Sequence, residues 1–589
     1  MELKSNLQAL RYVRKMLAGE YDGILPFAVR VQKPVPKGGA GVPLPRSAPG
    51  REGVPEALLT RFLREADAAR GCRIQTCLVI RHGRVILDAS WAPYSTARWH
   101  VTHSLCKSFT GTAIGLLAQE GALSLDETVC DIFPDQCSLL TGRRMRAVTV
   151  RHLLTMTSGV NFKEAGAVCS ANWARSFLES SVLFEPGERF DYNSMNSYML
   201  AAIVCRRAGQ GLTDYLRPRL FEPLGFGPVA WQKSPQGTEK GGWGMYVRLE
   251  DAAKLGLLYL HDGVWRTQRG PVRILDRAWT DAARAPHAVS RSGEEYGYQM
   301  WPDTKAGVCM FNGMFGQYVI LAPDLDLVVA INAGADHLFT RGALYTAALR
   351  LIQALRAGEK PLAVPGELPR TLRSLHRTQD AALPALPALC RPLQPMLAAA
   401  GQARAAALLA GRRFSFDANA AALLPIMTGC MNDCYPAGLR ELAFEKTPRG
   451  GLCLVWRCAR AEQRVPLGFA RPAPFVLNEG GNRFLAAASA ALASDEDGRA
   501  VLKITVYLTE ESSVRRLKLF LPRAGEESVR LCLSETPSLA QAARSLLQGS
   551  ALEQQAEGLL RDGEYLRWRA QRFSSPVFTG REIRPAKAP

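Results

Sequence analysis

No stretch of this 589-residue sequence stays apolar for the roughly 18–20 residues that a membrane-spanning helix needs. The longest candidates are broken by glycine or charge, so no membrane span is expected. Cysteines are not paired in the patterns that announce metal or redox chemistry. The 14 Cys are scattered, and no two stand in C-x-x-C spacing. A chain of this length does not need disulfides for stability. Cys106, Cys205 and Cys309 lie among apolar residues and read as small buried hydrophobes. A G-x-S-x-G elbow, an H-E-x-x-H helix and a P-loop are all missing, which argues against an α/β-hydrolase, a zinc protease and a P-loop nucleotidase. The opening MELKSNLQALRYVRKMLAG is amphipathic and lacks the apolar segment of a signal peptide. With reduced thiols, this gives the expectation of a cytoplasmic protein. Long lysine or arginine runs are also lacking. The net charge of +19 would suit an anionic partner. The basic residues, however, are interleaved with acids and carry no zinc-finger or RNA-recognition signature, so no nucleic-acid partner is expected.

What is present is ordinary globular composition, with 47% hydrophobic and 22% charged residues. The length predicts two to four domains. Residues 1–70 read as an amphipathic helix, a Pro/Gly-rich extended tether and a second helix over Pro55–Arg70. Residues 71–357 begin with a strand hairpin turning at His82-Gly83 and continue through helical spacing at Ser104–Gln119, Val148–Leu154, Tyr192–Arg206 and Leu249–His261. They close with two β-rich runs around Pro323-Asp324 and a helix at Ala343–Ala357. Strands at both ends with helices between predict an α+β sandwich whose sheet draws on both ends of that region. Residues 358–411 read as a Pro/Ala-rich linker with a helix. Residues 412–545 carry short alternating runs such as VLKITVYLT and VRRLKLFLP, the pattern of an antiparallel β domain. Residues 546–589 read as a helix and a basic tail.

The chemistry centres on Ser104-Leu105-Cys106-Lys107. A serine hydroxyl is a poor nucleophile near neutral pH and needs an adjacent base and an oxyanion site. Residues three apart share one face of a helix, so Lys107 projects beside Ser104. The apolar run Phe109–Ala118 buries that face, where a charged ammonium is disfavoured. A lysine that takes and returns a proton fits such a place. One Ser-x-x-Lys is expected about once by chance in a chain of this size, so the motif alone is also consistent with two residues sharing a helix face.

Other segments decide the matter. Residues 104–107 resemble the Ser-x-x-Lys motif of serine β-lactamases and penicillin-binding proteins. AVTVRHLLTMTSGV (147–160), FEPGERFDYNSMNSYMLAAIV (184–204), GGWGMYVRLEDAAKLGLLYLHDGVW (241–265), EYGYQMW (295–301) and FNGMFGQYVILAPDLDLVVAINAG (311–334) follow in the order of the class C β-lactamase-related serine hydrolases. The LLTM and Gly-Gln details are most similar to the branch of 6-aminohexanoate-dimer hydrolases, which are amide and ester hydrolases. The resemblance covers residues 71–357. It implies a β-lactamase/transpeptidase-like fold with Ser104 as nucleophile, Lys107 as the lysine that helps deprotonate it and Tyr192 as the proton-transferring phenol. A lysine charge beside a phenol favours its phenolate form, in keeping with that role.

Two departures stand out. The second motif reads Tyr192-Asn193-Ser194, placing Ser194 where the family carries asparagine. The third, Lys/His-Thr/Ser-Gly in the family, aligns with Phe311-Asn312-Gly313, so its cation is lost. Ser194, Asn312, Gly313 and Met314 are the candidate substrate and oxyanion residues. The oxyanion donors implied by the resemblance are the backbone N–H groups of Met314 and Ser104. Gln317 is a candidate for either a pocket or a turn contact, His103 and His152 read as structural, and Trp99, Trp243 and Trp301 as cleft walls. The expectation is an acyl-enzyme serine hydrolase acting on a small-molecule amide or ester without metal or organic cofactor. The alternatives are a β-lactamase or D-Ala-D-Ala carboxypeptidase and, in another class, a binding protein on a retired hydrolase fold.

Overall fold

The computed structural model describes residues 32–168, 170–267, 269–336, 341–362, 364–375, 394–417, 419, 421–434, 438–448, 450–459, 461–537 and 575–583. The helices expected near residues 1–19 and from 546 lie outside the described residues. The described chain divides into two compact units, residues 32–90 with 96–373, and residues 91–95 with 374–583.

The first unit is built on a six-stranded antiparallel sheet. Strands β1 (Ile74–Arg81) and β2 (Arg84–Ser90) form the expected hairpin. Both turn residues, His82 (φ 52°) and Gly83 (φ 71°), are left-handed, as a tight two-residue turn between right-twisted strands requires. Strands β3 (Trp301–Asp303), β4 (Val308–Gly313), β5 (Gln317–Ala322) and β6 (Leu327–Ala333) complete the order β3-β4-β5-β6-β1-β2. β1 pairs with β6 from Cys77↔Ile331 to Arg81↔Leu327, so the two ends of the unit meet at its centre. Both faces of β1 are buried, which fits its apolar run Cys77–Ile80. Leu78 and Ile80 point into the main core with Val319, Leu321 and Val328.

Helices α1 (Glu56–Asp67), α2 (Lys107–Gln119), α3 (Ser194–Ala208), α4 (Leu249–Leu260) and α5 (Ala343–Arg356) surround the sheet. α4 lies close on β5, where a Cβ at Gly256 would stand 2.7 Å from Val319. α1 and α5 are joined by the Arg350–Glu65 ion pair, and α1 also pairs through Arg61–Glu359. The expected tether, from residue 32 on, is extended but bound to the helices beside it. Val42 N–H donates to the Gly225 carbonyl (2.8 Å), Lys254 Nζ donates to the Val42 carbonyl (2.7 Å) and Arg46 pairs with Glu250 (2.6 Å).

The second unit carries helix α6 (Gln394–Leu409) and ten antiparallel strands. These are β7 (Arg413–Phe416), β8 (Leu439–Lys446), β9 (Leu452–Cys458), β10 (Glu462–Leu467), β11 (Ala473–Glu479), β12 (Asn482–Ser494), β13 (Ala500–Leu508), β14 (Val514–Phe520), β15 (Ser528–Thr536) and β16 (Val577–Glu582). The order is β10-β9-β8-β7-β16-β15-β14-β13-β12-β11. Gly468, just past β10, bonds both to Ala488 and to Ala490 of β12 and nearly closes the sheet into a barrel. The interior is filled by Phe414, Leu454, Trp456, Phe484, Ile504 and Leu531. β16 corrects the reading of the last residues as helix and tail alone, because residues 577–582 alternate outward and inward as a strand of this barrel.

Candidate active site

The chain reaches Ser104 along a short strand, Trp99–Val101, paired with Met245–Arg248. Thr102 N–H donates to the Met245 carbonyl (2.9 Å), fixing the end of that strand. His103 then adopts a left-handed backbone (φ 47°), uncommon outside glycine and asparagine, and turns the chain sharply into a 3-10 turn, His103–Cys106. Ser104 lies in that turn, immediately before α2. The His103 ring meets the Phe315 ring edge-on at 5.1 Å, and burial pushes the imidazole down to about 3, so it is neutral. Cys106 donates to the Gly241 carbonyl, and burial pushes its thiol up to about 12. It is no competing nucleophile.

Lys107 is only 2% exposed. Its Nζ donates to Ser104 Oγ (3.0 Å), Ser194 Oγ (3.0 Å) and the Gly242 carbonyl (2.7 Å). The same ammonium lies 5.0 Å from the centre of the Tyr192 ring. Ser104 with Lys107 and Tyr192 with Ser194, two pairs far apart in sequence, are thus brought together. α3 begins at Ser194 rather than at Tyr192, because Asn193 is its N-cap: Asn193 Oδ1 accepts from Met195 N–H (2.9 Å). Asn193 also donates to the Val160 and Phe162 carbonyls, and Asn196 accepts from Ser158, so neither asparagine contacts the lysine. Lys163, paired with Asp191 (2.7 Å), donates to the Tyr192 carbonyl (3.3 Å) and holds that backbone. Trp301 stacks on Tyr192 at 5.7 Å, and Tyr296 meets it edge-on at 6.2 Å.

The third motif follows the break in its sequence. Phe311 is fully buried and packs on Tyr259 of α4 at 5.8 Å, so its side chain belongs to the core. Gly313 comes close to the turn that carries Ser104, where a Cβ would stand 2.3 Å from the Thr102 carbonyl and 3.1 Å from Leu105 N. Glycine is needed here for room. Asn312 and Met314 flank it and are buried. Gln317 makes the turn contact: its Nε2 donates to the carbonyls of Met314 (3.3 Å) and Ala333 (2.6 Å). His152 accepts from Thr149 N–H (3.1 Å) and caps a short helix, a structural role. Cys106 and Cys309 are buried as expected, whereas Cys205 is partly exposed.

Three contributors escaped the sequence reading. The Gly242 carbonyl holds Lys107, and Gly241 and Gly242 run so close to α3 that Cβ atoms would stand 2.5 Å from the Ser197 carbonyl and 2.8 Å from that of Ser194. Glu164 accepts from Ser194 N–H (3.3 Å). Gln299, left-handed at φ 59°, accepts from Ser197 of α3 (2.5 Å), and its carbonyl accepts from Ser108 of α2 (2.9 Å), tying the two helices together. The Gly-Gly pair was the legible signal; Glu164 and Gln299 had none.

Residues 59–353, half of the chain, match the family model described as Beta-lactamase. The chain belongs to the beta-lactamase family. Among curated proteins, this family member is similar to Protein flp of Staphylococcus aureus strain MW2, with 28% identity over 163 residues, 25% of this chain and 32% of that one. It therefore spans about a third of the length of the curated relatives it matches. Among solved structures, it is similar to a penicillin binding protein from Bacillus halodurans, with TM-score 0.37 and 20% identity over 51% of this chain and 98% of the other. It is also similar to the octameric penicillin-binding protein homologue from Pyrococcus abyssi, with TM-score 0.40 and 16% identity over 82% and 99%. The family is one of serine hydrolases and fits the sheet-and-helix architecture of the first unit.

Proposed function

We propose that this beta-lactamase-family protein cleaves an amide or ester bond through an acyl-enzyme on Ser104. The observation that carries the reading is Lys107, buried and within hydrogen-bond distance of Ser104 Oγ. Ser104 attacks the substrate carbonyl while its proton passes to the Lys107–Tyr192 pair. The N–H groups of Ser104 and Met314 hold the oxygen of the tetrahedral intermediate. Tyr192 returns the proton to the departing amine or alcohol, and the acyl group remains on Ser104 Oγ. Water then attacks the ester and gives up a proton to the same pair, which passes it to the departing Ser104 Oγ as the acid is released.

The substrate is a neutral or differently charged amide or ester rather than a penicillin. The family's third-motif cation binds a substrate carboxylate, and Phe311 at that position is packed in the core. Efficient turnover of a penicillin by the purified protein overturns this.

Intact mass after incubation with a fluorophosphonate tests the reading, run beside Ser104→Ala. A single adduct lost in the variant supports it, and screening then starts with short amides and esters. No adduct on a folded protein favours the retired-fold alternative.

A further inference from the structure

Away from the catalytic centre, one turn of the first unit presents two adjacent leucines to solvent. Leu139 is 104% exposed and Leu140 70%. This exposure is built. Thr141 N–H donates to the Ser138 carbonyl (3.1 Å), Ser138 N–H to Thr141 Oγ1 (3.0 Å) and Leu140 N–H to Ser138 Oγ (3.1 Å), closing a tight turn. Ser138 Oγ donates to Glu179 (3.2 Å), and Arg146 donates to the Ser138 carbonyl (3.3 Å), so the turn is fastened to the body beneath it. The leucines project from a braced tip.

The surroundings of the tip are basic. From Gln136 to Leu154 there is no acidic residue, and Arg143, Arg144 and Arg146 follow the tip in exposed positions. Arg144 pairs with Glu185 and donates to the Val182 carbonyl, which brings half-exposed Leu183 to the same face. Of the other acids near it, Asp135 pairs with Arg206 and Glu179, only 3% exposed, with Arg175, while exposed Glu188 accepts from Glu185 N–H.

We propose that this tip docks the protein on bilayers containing anionic lipid, the leucines entering the interface and the arginines meeting the headgroups. The charge pattern selects this partner: anionic headgroups complement the arginine collar, and hydrocarbon lies directly beneath them. A protein partner fits less well. A stable interface takes about 800 Å² from each side, and two side chains on a narrow turn offer far less. The inference is independent of the chemistry at Ser104.

The test is co-sedimentation of the full chain with phosphatidylcholine vesicles, with or without phosphatidylglycerol. The expected result is binding to the anionic vesicles alone, weakened by salt. Leu139→Ser/Leu140→Ser together weaken it by about tenfold or more, and Arg143→Glu weakens it too. These side chains lie in solvent, so thermal melting and fluorophosphonate labelling stay at wild-type levels in the variants. Absence of binding, equal binding to neutral vesicles, or unchanged binding by the double-leucine variant overturns the proposal. So does self-association without vesicles that the same variant abolishes, because the tip is then a protein contact.

Discussion

Lys107 has three N–H bonds and three acceptors around it. The Gly242 carbonyl can only accept, so it claims one N–H in either protonation state. The hydroxyls of Ser104 and Ser194 can donate or accept, so a neutral Lys107 can aim its lone pair at either. An asparagine at position 194 can turn its carbonyl oxygen to a Lys107 N–H, which leaves the lone pair for Ser104. Ser194→Asn is therefore expected to label with fluorophosphonate faster than Ser194→Ala, as stopped-time mass spectrometry would show. Lys107→Ala should reduce labelling about 10²–10⁴-fold, the usual contribution of a positioned base. In the second unit, burial pushes the Glu479 carboxyl up to about 7. The folded state thus holds a proton that the unfolded chain has released above about pH 4–5. That stability is present at low pH and is lost as the pH rises through 7. Urea unfolding of this unit should show a loss of about 3 kcal/mol between pH 5 and 8, absent in Glu479→Gln.

At the scale of elements, the site depends on surfaces that approach more closely than a side chain allows. A methyl at Gly242 would stand 2.8 Å from the Ser194 carbonyl and push the Gly-Gly segment off α3. Gly242→Ala is expected to cost about 1–3 kcal/mol and to slow labelling about 100-fold as the Lys107 acceptor moves; chemical melts and labelling rates measure the two separately. Elements governed by their own periodicity were legible in the sequence: the hairpin at His82-Gly83, the helices at 107–119 and 249–260, and the paired strands around Pro323. The Ser-x-x-Lys pair was legible too: Ser104 lies in a 3-10 turn and not in the α-helix expected from residue 104, but residues three apart share a face in either, so Lys107 still stands beside Ser104. Long-range packing was not. β12 contains AAASAALAS, good helix formers by intrinsic preference. It is a strand because pairing with β11 and β13 on its two sides and burial of Ala486, Ala488 and Ala490 in the barrel interior override that preference. Gln299 could not be read as the brace between α2 and α3 because its partners lie at least a hundred residues away.

On the scale of the molecule, each unit has a hydrophobic core of its own. Phe414→Ala in the barrel should lower one calorimetric transition, by about 3–5 kcal/mol, and leave the transition of the first unit and the labelling of Ser104 unchanged. In both units an early strand is paired with a late one: β1 with β6, and β7 with β16. During synthesis the ribosome delivers β1 some 250 residues before its partner, so the first sheet waits with an open edge until residue 333 has emerged. The barrel waits again for residues 577–582. The protein thus has two completion points in its own synthesis. A message cut between them should yield a chain that still labels at Ser104, and one cut before the first should yield a chain with nothing to close its sheet.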